Sequence, residues 1–407
     1  MARCMLAVLV VAVAVAAYLA LLPVPEDVAD SPWTIKVAAF KLRFSIFWKL
    51  VLPTGINDWL DERSRANARA AGPRVPYTDT VFDRVPVRIF ADEPAGGKTD
   101  KRPAIVYYHG GGWIRGSVDS YHPVTALMAR NLNLVVVSVE YRLAPKYPFP
   151  TPLDDCSAAT VWFLKHLGDF NVDPARIAVM GDSAGGNLAA AMAQRFTFDP
   201  QYRDLPKPKL QVLIYPALQA FDFYTTSFQQ LGDLKTLILD RLYVAYAWDL
   251  YGRGKKGQGS SLKAMMHNNH TSSAAKKSAL VKKCLSHDLI PDEFKQTGYE
   301  VPSTDFGDED IYKEIKDVLL NPDFAPLMRE DLRGLPEAYI LTAEYDVLRD
   351  DGIMYAKRLE KAGVPVTWKH YKKGYHGMFS LDNHPLPSSP VGDKSVSDFI
   401  QFASENL

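Results

Sequence analysis

The sequence predicts an α/β architecture, a mostly parallel central sheet with helices on both faces and a helical insertion. Apolar runs rich in β-branched residues, such as Ala104-Ile105-Val106-Tyr107-Tyr108 and Leu134 to Val139, are continuous rather than alternating, the pattern of strands covered on both faces. Stretches with helical apolar spacing separate them, which implies right-handed βαβ units. The chain has 407 residues, 47% hydrophobic and 23% charged, enough for one core domain of roughly 250–300 residues plus an insertion.

Taken in order, the chain opens on Met5 to Leu22, 18 residues without charge, Pro or Gly. At about 1.5 Å per residue such a helix nearly crosses a hydrocarbon core of roughly 30 Å. Ala16, Ala17 and Ala20 would suit a signal peptidase, but the apolar cores of cleaved signal peptides run only about 7–15 residues. An uncleaved transmembrane anchor over residues 1–22 is therefore expected. Arg3 precedes it, and Glu26, Asp27 and Asp30 follow, the charge order of an anchor with its N-terminus in the cytoplasm. The expected protein is a single-pass type II protein of the endoplasmic reticulum membrane with the bulk of the chain in the lumen. In that orientation the sequon Asn269-His270-Thr271 is open to glycosylation at Asn269.

Residues 23–80 carry Trp33, Phe40, Phe44, Phe47, Trp48 and Leu50 at helix-like spacing. They read as an N-terminal helical segment contributing to the cap; lying on the membrane or lining an acyl pocket is the sharper alternative. Ala91 to Arg102 is a turn-rich connector within the first part of the core, 81–220. Strands follow at Ala104–Tyr108, Leu134–Val139, Arg176–Met180 and Leu210–Tyr215, with helices over Asp154–Leu167 and Asn187–Arg195. Across 221–321 the pattern loosens into polar and Lys-rich tracts, which reads as a cap insertion. The second part of the core, 322–407, has strands at Ala338–Thr342 and Val366–His370, a helix over Asp351–Ala362 and another from about Val396.

Lys+Arg and Asp+Glu both number 47, so no basic footprint points to nucleic acid. Of Cys4, Cys156 and Cys284, only Cys156 and Cys284 could pair outside the anchor, and no zinc pattern is present. No cofactor is implied, and oligomeric state is not legible.

The chemistry concentrates in a few motifs. Gly181-Asp182-Ser183-Ala184-Gly185 fits G-x-S-x-G and lies between a buried strand and an alanine-rich helix, the context of a nucleophile elbow. Glycines at 181 and 185 would remove Cβ atoms from a strained turn and lift the Ser183 hydroxyl above the sheet. His109-Gly110-Gly111-Gly112-Trp113 follows another strand. Acyl transfer needs donors aimed at a developing oxyanion, and the N–H groups of Gly110, Gly111 and Ala184 are expected to supply them. The run lacks the G-K-[ST] of a nucleotide site. His109 and Gly112 read as structural residues of the loop.

Asp346 follows a strand end, where catalytic groups of parallel sheets collect, with Glu344, Asp350 and Asp351 as competitors. Asp350 and Asp351 open a helix, where its macrodipole favours carboxylates. His376 lies in a glycine-bounded loop before the last helix; His370 is the runner-up, within a strand. The cap aromatics Phe221, Phe223, Tyr224, Tyr243, Tyr246 and Trp248 would suit an apolar acyl pocket.

These motifs together, with YRLAP (141–145), DVLRDDG (346–352) and GYHGM (374–378), resemble the hormone-sensitive-lipase branch of the α/β-hydrolases. Within it, the N-terminal run, LIYPALQ (213–219) and YAKRLEKAGV (355–364) resemble the arylacetamide deacetylase and neutral cholesterol ester hydrolase family. The resemblance implies the α/β-hydrolase fold, a Ser183–Asp346–His376 triad in the order expected of it, and hydrolysis of hydrophobic acyl esters beside a membrane. Amide deacetylation is the alternative. Non-catalytic binding, as in the plant gibberellin receptors of this branch, is disfavoured because those lose the histidine. One departure stands out. Arylacetamide deacetylases carry cysteines just after the HGGGW tryptophan and shortly before the acid, where this chain has Ile114 and Ala343.

Overall fold

The computed structural model describes residues 72–91, 101–234, 238–254, 260–381 and 389–407, with scattered positions between 25 and 70. The expected anchor, Met5–Leu22, lies outside the described residues. Among those described, no helix is long and apolar enough to cross a membrane.

The chain runs β1 (Thr78–Phe82), β2 (Val85–Phe90), β3 (Arg102–Tyr108), α1 (His122–Leu132), β4 (Val135–Val139), α2 (Thr151–Lys165), β5 (Val172–Asp182), α3 (Ala184–Phe198) and β6 (Leu210–Ile214). An insertion of short helices follows, with α4 (Arg241–Arg253) and α5 (Glu309–Leu319) its longest described helices. The core resumes with β7 (Glu337–Tyr345), α6 (Arg349–Lys361), β8 (Val366–Tyr375) and α7 (Pro390–Asn406). One eight-stranded sheet has the order β1-β2-β4-β3-β5-β6-β7-β8. The strands from β4 through β8 in that order are parallel, and the β1–β2 hairpin joins β4 antiparallel.

The predicted strands and their α/β alternation are present. The β1–β2 hairpin is an addition to those expected elements. Its turn residues Asp83 and Arg84 both adopt positive φ, 41° and 66°, without the Asn-Gly or Asp-Gly that announces such a turn. Two strands also run further than their apolar runs suggested. Pairing continues through Ala343↔Tyr371 to Tyr345↔Tyr375, so β8 includes Lys372 and Lys373, whose exposure breaks the apolar pattern. Asp346 and His376 therefore directly follow strand ends rather than sitting in longer loops.

Ile105, Val106, Val136, Val137 and Val179 have no solvent exposure, as expected of a doubly covered sheet. Buried polar side chains fix the insertion to this core. Asn187 and Gln194 of α3 donate to the carbonyls of Phe324 (2.8 Å) and Pro326 (2.9 Å), where the chain returns from the insertion. Where it departs, Asp350 accepts from Ser227 N (2.6 Å) and Asp351 from Leu218 N (2.8 Å) and Gln219 Nε2 (3.0 Å). A helix macrodipole does not account for these two aspartates; both are fully buried anchors. Cys156 and Cys284 are each buried and free, so the one pairing open to the sequence does not form.

Candidate active site

The carboxyl ends of β3, β5, β7 and β8 deliver the oxyanion loop, Ser183, Asp346 and His376 to one rim of the sheet. Ser183 occupies φ 56°, ψ −119° between β5 and α3, a region costing of order 1–3 kcal/mol for a residue with a side chain. Neighbouring backbone holds it there: Ser183 N donates to Ile214 O (2.8 Å), and Ser183 O accepts from Asn187 N (3.1 Å). The elbow glycines are steric necessities. A Cβ on Gly181 would overlap the carbonyl of Gly185, and one on Gly185 would overlap the carbonyl of Tyr108.

The three predicted residues meet in a hydrogen-bonded line. His376 Nε2 lies 2.9 Å from Ser183 Oγ, and His376 Nδ1 lies 2.7 Å from Asp346 Oδ2. Asp346 is nearly inaccessible and its other oxygen accepts from Leu348 N at 2.9 Å. Tyr215 packs its ring 4.6 Å from the imidazole. The two runners-up pair with each other instead: Glu344 Oε2 lies 2.9 Å from His370 Nε2, and Arg349 Nη1 donates to Glu344 Oε1 at 2.9 Å. In this arrangement Ser183 can surrender its proton to an imidazole whose tautomer Asp346 fixes.

The oxyanion donors need one correction. Gly110 N donates to Asp182 Oδ1 at 2.9 Å, so its N–H is already engaged and does not face an incoming carbonyl. Gly111 and Gly112 come next, with φ of 115° and 64° that only glycine adopts without strain. Gly112 also lines the cleft above Ser183. His109, by contrast, is wholly buried, bonded through Nδ1 to Gly110 O (2.8 Å) and stacked 4.2 Å from the ring of Tyr141. It holds the loop.

A narrow cleft opens over Ser183, lined by Trp113, Ala217, Leu239, Tyr243, Val244, Trp248 and Leu348 among others. Of the cap aromatics singled out in the sequence, Tyr243 and Trp248 line it; Phe221 and Phe223 are core residues elsewhere in the insertion, and Tyr224 is partly exposed. Helical spacing on α4 could not distinguish a pocket face from a core face. Trp113 stacks on Tyr251 of α4, centroids 4.3 Å apart, and touches Trp248 at 4.4 Å. The oxyanion loop and the insertion therefore pack as one aromatic layer. Asn269 is half-buried, its carbonyl accepting from Asp308 N at 2.9 Å, while Thr271 of the sequon is fully buried.

A family model described as the alpha/beta hydrolase fold matches residues 105–293 and 296–380. The chain belongs to the α/β-hydrolase family. Its relatives include neutral cholesterol ester hydrolase 1 of Rattus norvegicus, 40% identical over 410 residues and 97% of each chain. Arylacetamide deacetylase of Bos taurus is 35% identical over 98% of each. Among solved structures, a hyperthermophilic esterase from Pyrobaculum calidifontis superimposes with a TM-score of 0.61 at 28% identity, covering 86% of this chain and 92% of its own.

Two buried histidines of this α/β-hydrolase contribute to its sensitivity to acid. Burial lowers His109 and His270 to about 4, against about 6.5 when unfolded. Between those values the unfolded chain binds more protons than the folded one, so stability falls as pH drops from about 6.5 through about 4. Urea midpoints measured across that range should decline towards acid, and less steeply in His109→Gln/His270→Gln. An unchanged slope in the double variant would assign the acid sensitivity elsewhere.

Proposed function

We propose that this ester hydrolase is a membrane-anchored serine carboxylesterase or lipase acting on hydrophobic acyl esters through an acyl-enzyme. The observation that carries the reading is the line Ser183 Oγ–His376 Nε2, His376 Nδ1–Asp346 Oδ2, at 2.9 and 2.7 Å. Ser183 Oγ attacks the ester carbonyl carbon as His376 takes its proton. The N–H groups of Gly111, Gly112 and Ala184 receive the oxyanion. The intermediate collapses, His376 protonates the departing alkoxide, and the acyl group stays on Ser183. Water activated by the same imidazole then releases the carboxylic acid.

The apolar lining of the cleft and the ester hydrolases among the relatives support an apolar acyl group. Amide deacetylation is the second reading, favoured by arylacetamide deacetylase at 35% identity, since the same acyl-enzyme serves both.

Asp346→Asn should lower kcat by about 10⁴, the effect of the same change in a serine-protease triad, with little change in KM or melting temperature. Glu344→Gln, whose partner is His370, should leave turnover near wild type. Steady-state kinetics on a panel of esters from acetate to oleate decides this. A crippled Glu344→Gln beside a normal Asp346→Asn would overturn the acid assigned here.

The charge order around Met5–Leu22 supports an anchor with the catalytic domain in the lumen of the endoplasmic reticulum. In that topology Asn269 is a glycosylation acceptor. An endoglycosidase mobility shift absent from Asn269→Gln is expected. Full digestion of the chain by protease in sealed microsomes would reverse the topology.

A further inference from the structure

We infer that Asp182 is a positioning residue for the reaction, its carboxylate fixing the oxyanion loop and the His376-bearing segment against the nucleophile elbow. The inference rests on the acyl-transfer reading above and deepens it. Asp182 sits immediately before Ser183 and is 2% exposed. Four donors from four segments converge on it. Tyr107 OH of β3 reaches Oδ1 at 2.8 Å, and Gly110 N of the oxyanion loop reaches the same oxygen at 2.9 Å. Tyr121 OH, at the start of α1, reaches Oδ2 at 3.0 Å, and Ser380 Oγ, four residues past His376, reaches it at 3.2 Å.

Each bond has a consequence for the site. Gly110 must be glycine because a Cβ there would stand 2.6 Å from Asp182 Oδ2 and 2.7 Å from Tyr121 OH; the carboxylate and its phenol fill that space. By holding the N–H of Gly110, Asp182 sets where the next two N–H groups, those of Gly111 and Gly112, begin. Ser380 Oγ lies 3.1 Å from Tyr215 OH, and the Tyr215 ring packs on the imidazole of His376. Donor and base are thus referred to one carboxylate on the residue adjoining the nucleophile. Burial pushes the Asp182 carboxyl above its ordinary range, while Tyr107, Tyr121 and Ser380 oppose that shift by hydrogen bonding to it. Two donors on each oxygen hold the carboxyl group of Asp182 in place.

A role limited to folding would account for the bonds but not for a selective loss of transition-state binding. That difference is measurable with an alkyl trifluoromethyl ketone. Ser183 Oγ bonds to its carbonyl carbon, the serine proton passes to His376 Nε2, and the carbonyl oxygen becomes an oxyanion in the hole. Asp182→Ala should lower kcat by about 100- to 1000-fold, as loss of an oxyanion donor does, with KM within about threefold. Ketone affinity should weaken by the same factor as kcat/KM. Asp182→Asn keeps a carbonyl oxygen for Gly110 and Tyr107 and an amide for the two hydroxyls, so it should recover activity to within about tenfold of wild type.

Tyr121→Phe deletes one donor with little loss of packing, and serves if Asp182→Ala does not fold. It should show a several-fold loss shared by kcat and ketone affinity. The inference fails if these variants keep wild-type kcat and ketone affinity. It also fails if their losses appear in KM or vanish at a temperature where each is fully folded. Ser183→Ala separates this from the parent reading: a dead Ser183→Ala beside a fully active Asp182→Ala sinks the positioning role alone, whereas an active Ser183→Ala sinks the acyl-enzyme itself.

Discussion

The site depends on one close approach: the backbone of residue 185, in the first turn of α3, passes against the carbonyl of Tyr108 at the end of β3, leaving no room for a Cβ. That approach brings the oxyanion loop, which starts one residue after β3, alongside the elbow that follows β5. Pairing of Tyr108 with Gly181 in the parallel ladder sets the register. Only then do the loop glycines and Ser183 face the same space. The strained φ of Ser183, 56°, is the local cost of turning from strand to helix within one residue. The surrounding packing stabilises it, because the backbone groups of Ser183 are bonded on both sides.

The remaining members arrive by the same logic from the other side of β5. β6, β7 and β8 continue the parallel sheet, so Asp346 and His376 leave their strands at the same rim and in adjacent positions. The insertion then closes the top. Trp113 of the glycine loop stacks on Tyr251 of α4, so the loop and the cleft over Ser183 share a wall. A change that shifts α4 therefore reaches the loop through packed rings rather than through a long relay.

Much of this was legible in the sequence because its signals are local. Continuous β-branched runs gave the central strands, and Gly181, Ser183 and Gly185 could be read from turn chemistry alone. Asp346 and His376 followed from their placement after strands, and Glu344 and His370 were rivals only because spacing cannot show that they bond to each other. What stayed hidden was tertiary. Asp182 reads as an unremarked filler of G-x-S-x-G, since its donors come from residues 107, 110, 121 and 380, and the engagement of the Gly110 N–H follows from that same bond. Asp350 and Asp351 look like ordinary helix-start carboxylates until Ser227 and Leu218 are seen to bond to them.

The central claim, that Ser183 is the nucleophile of an acyl-transfer site, is tested most directly by titrating the purified protein with a fluorophosphonate while following esterase activity. Activity should fall in proportion to label, reaching zero at one label per chain, with the label on the peptide containing Ser183 and none in Ser183→Ala. Label on another residue, or esterase activity that survives complete modification of Ser183, would contradict the account.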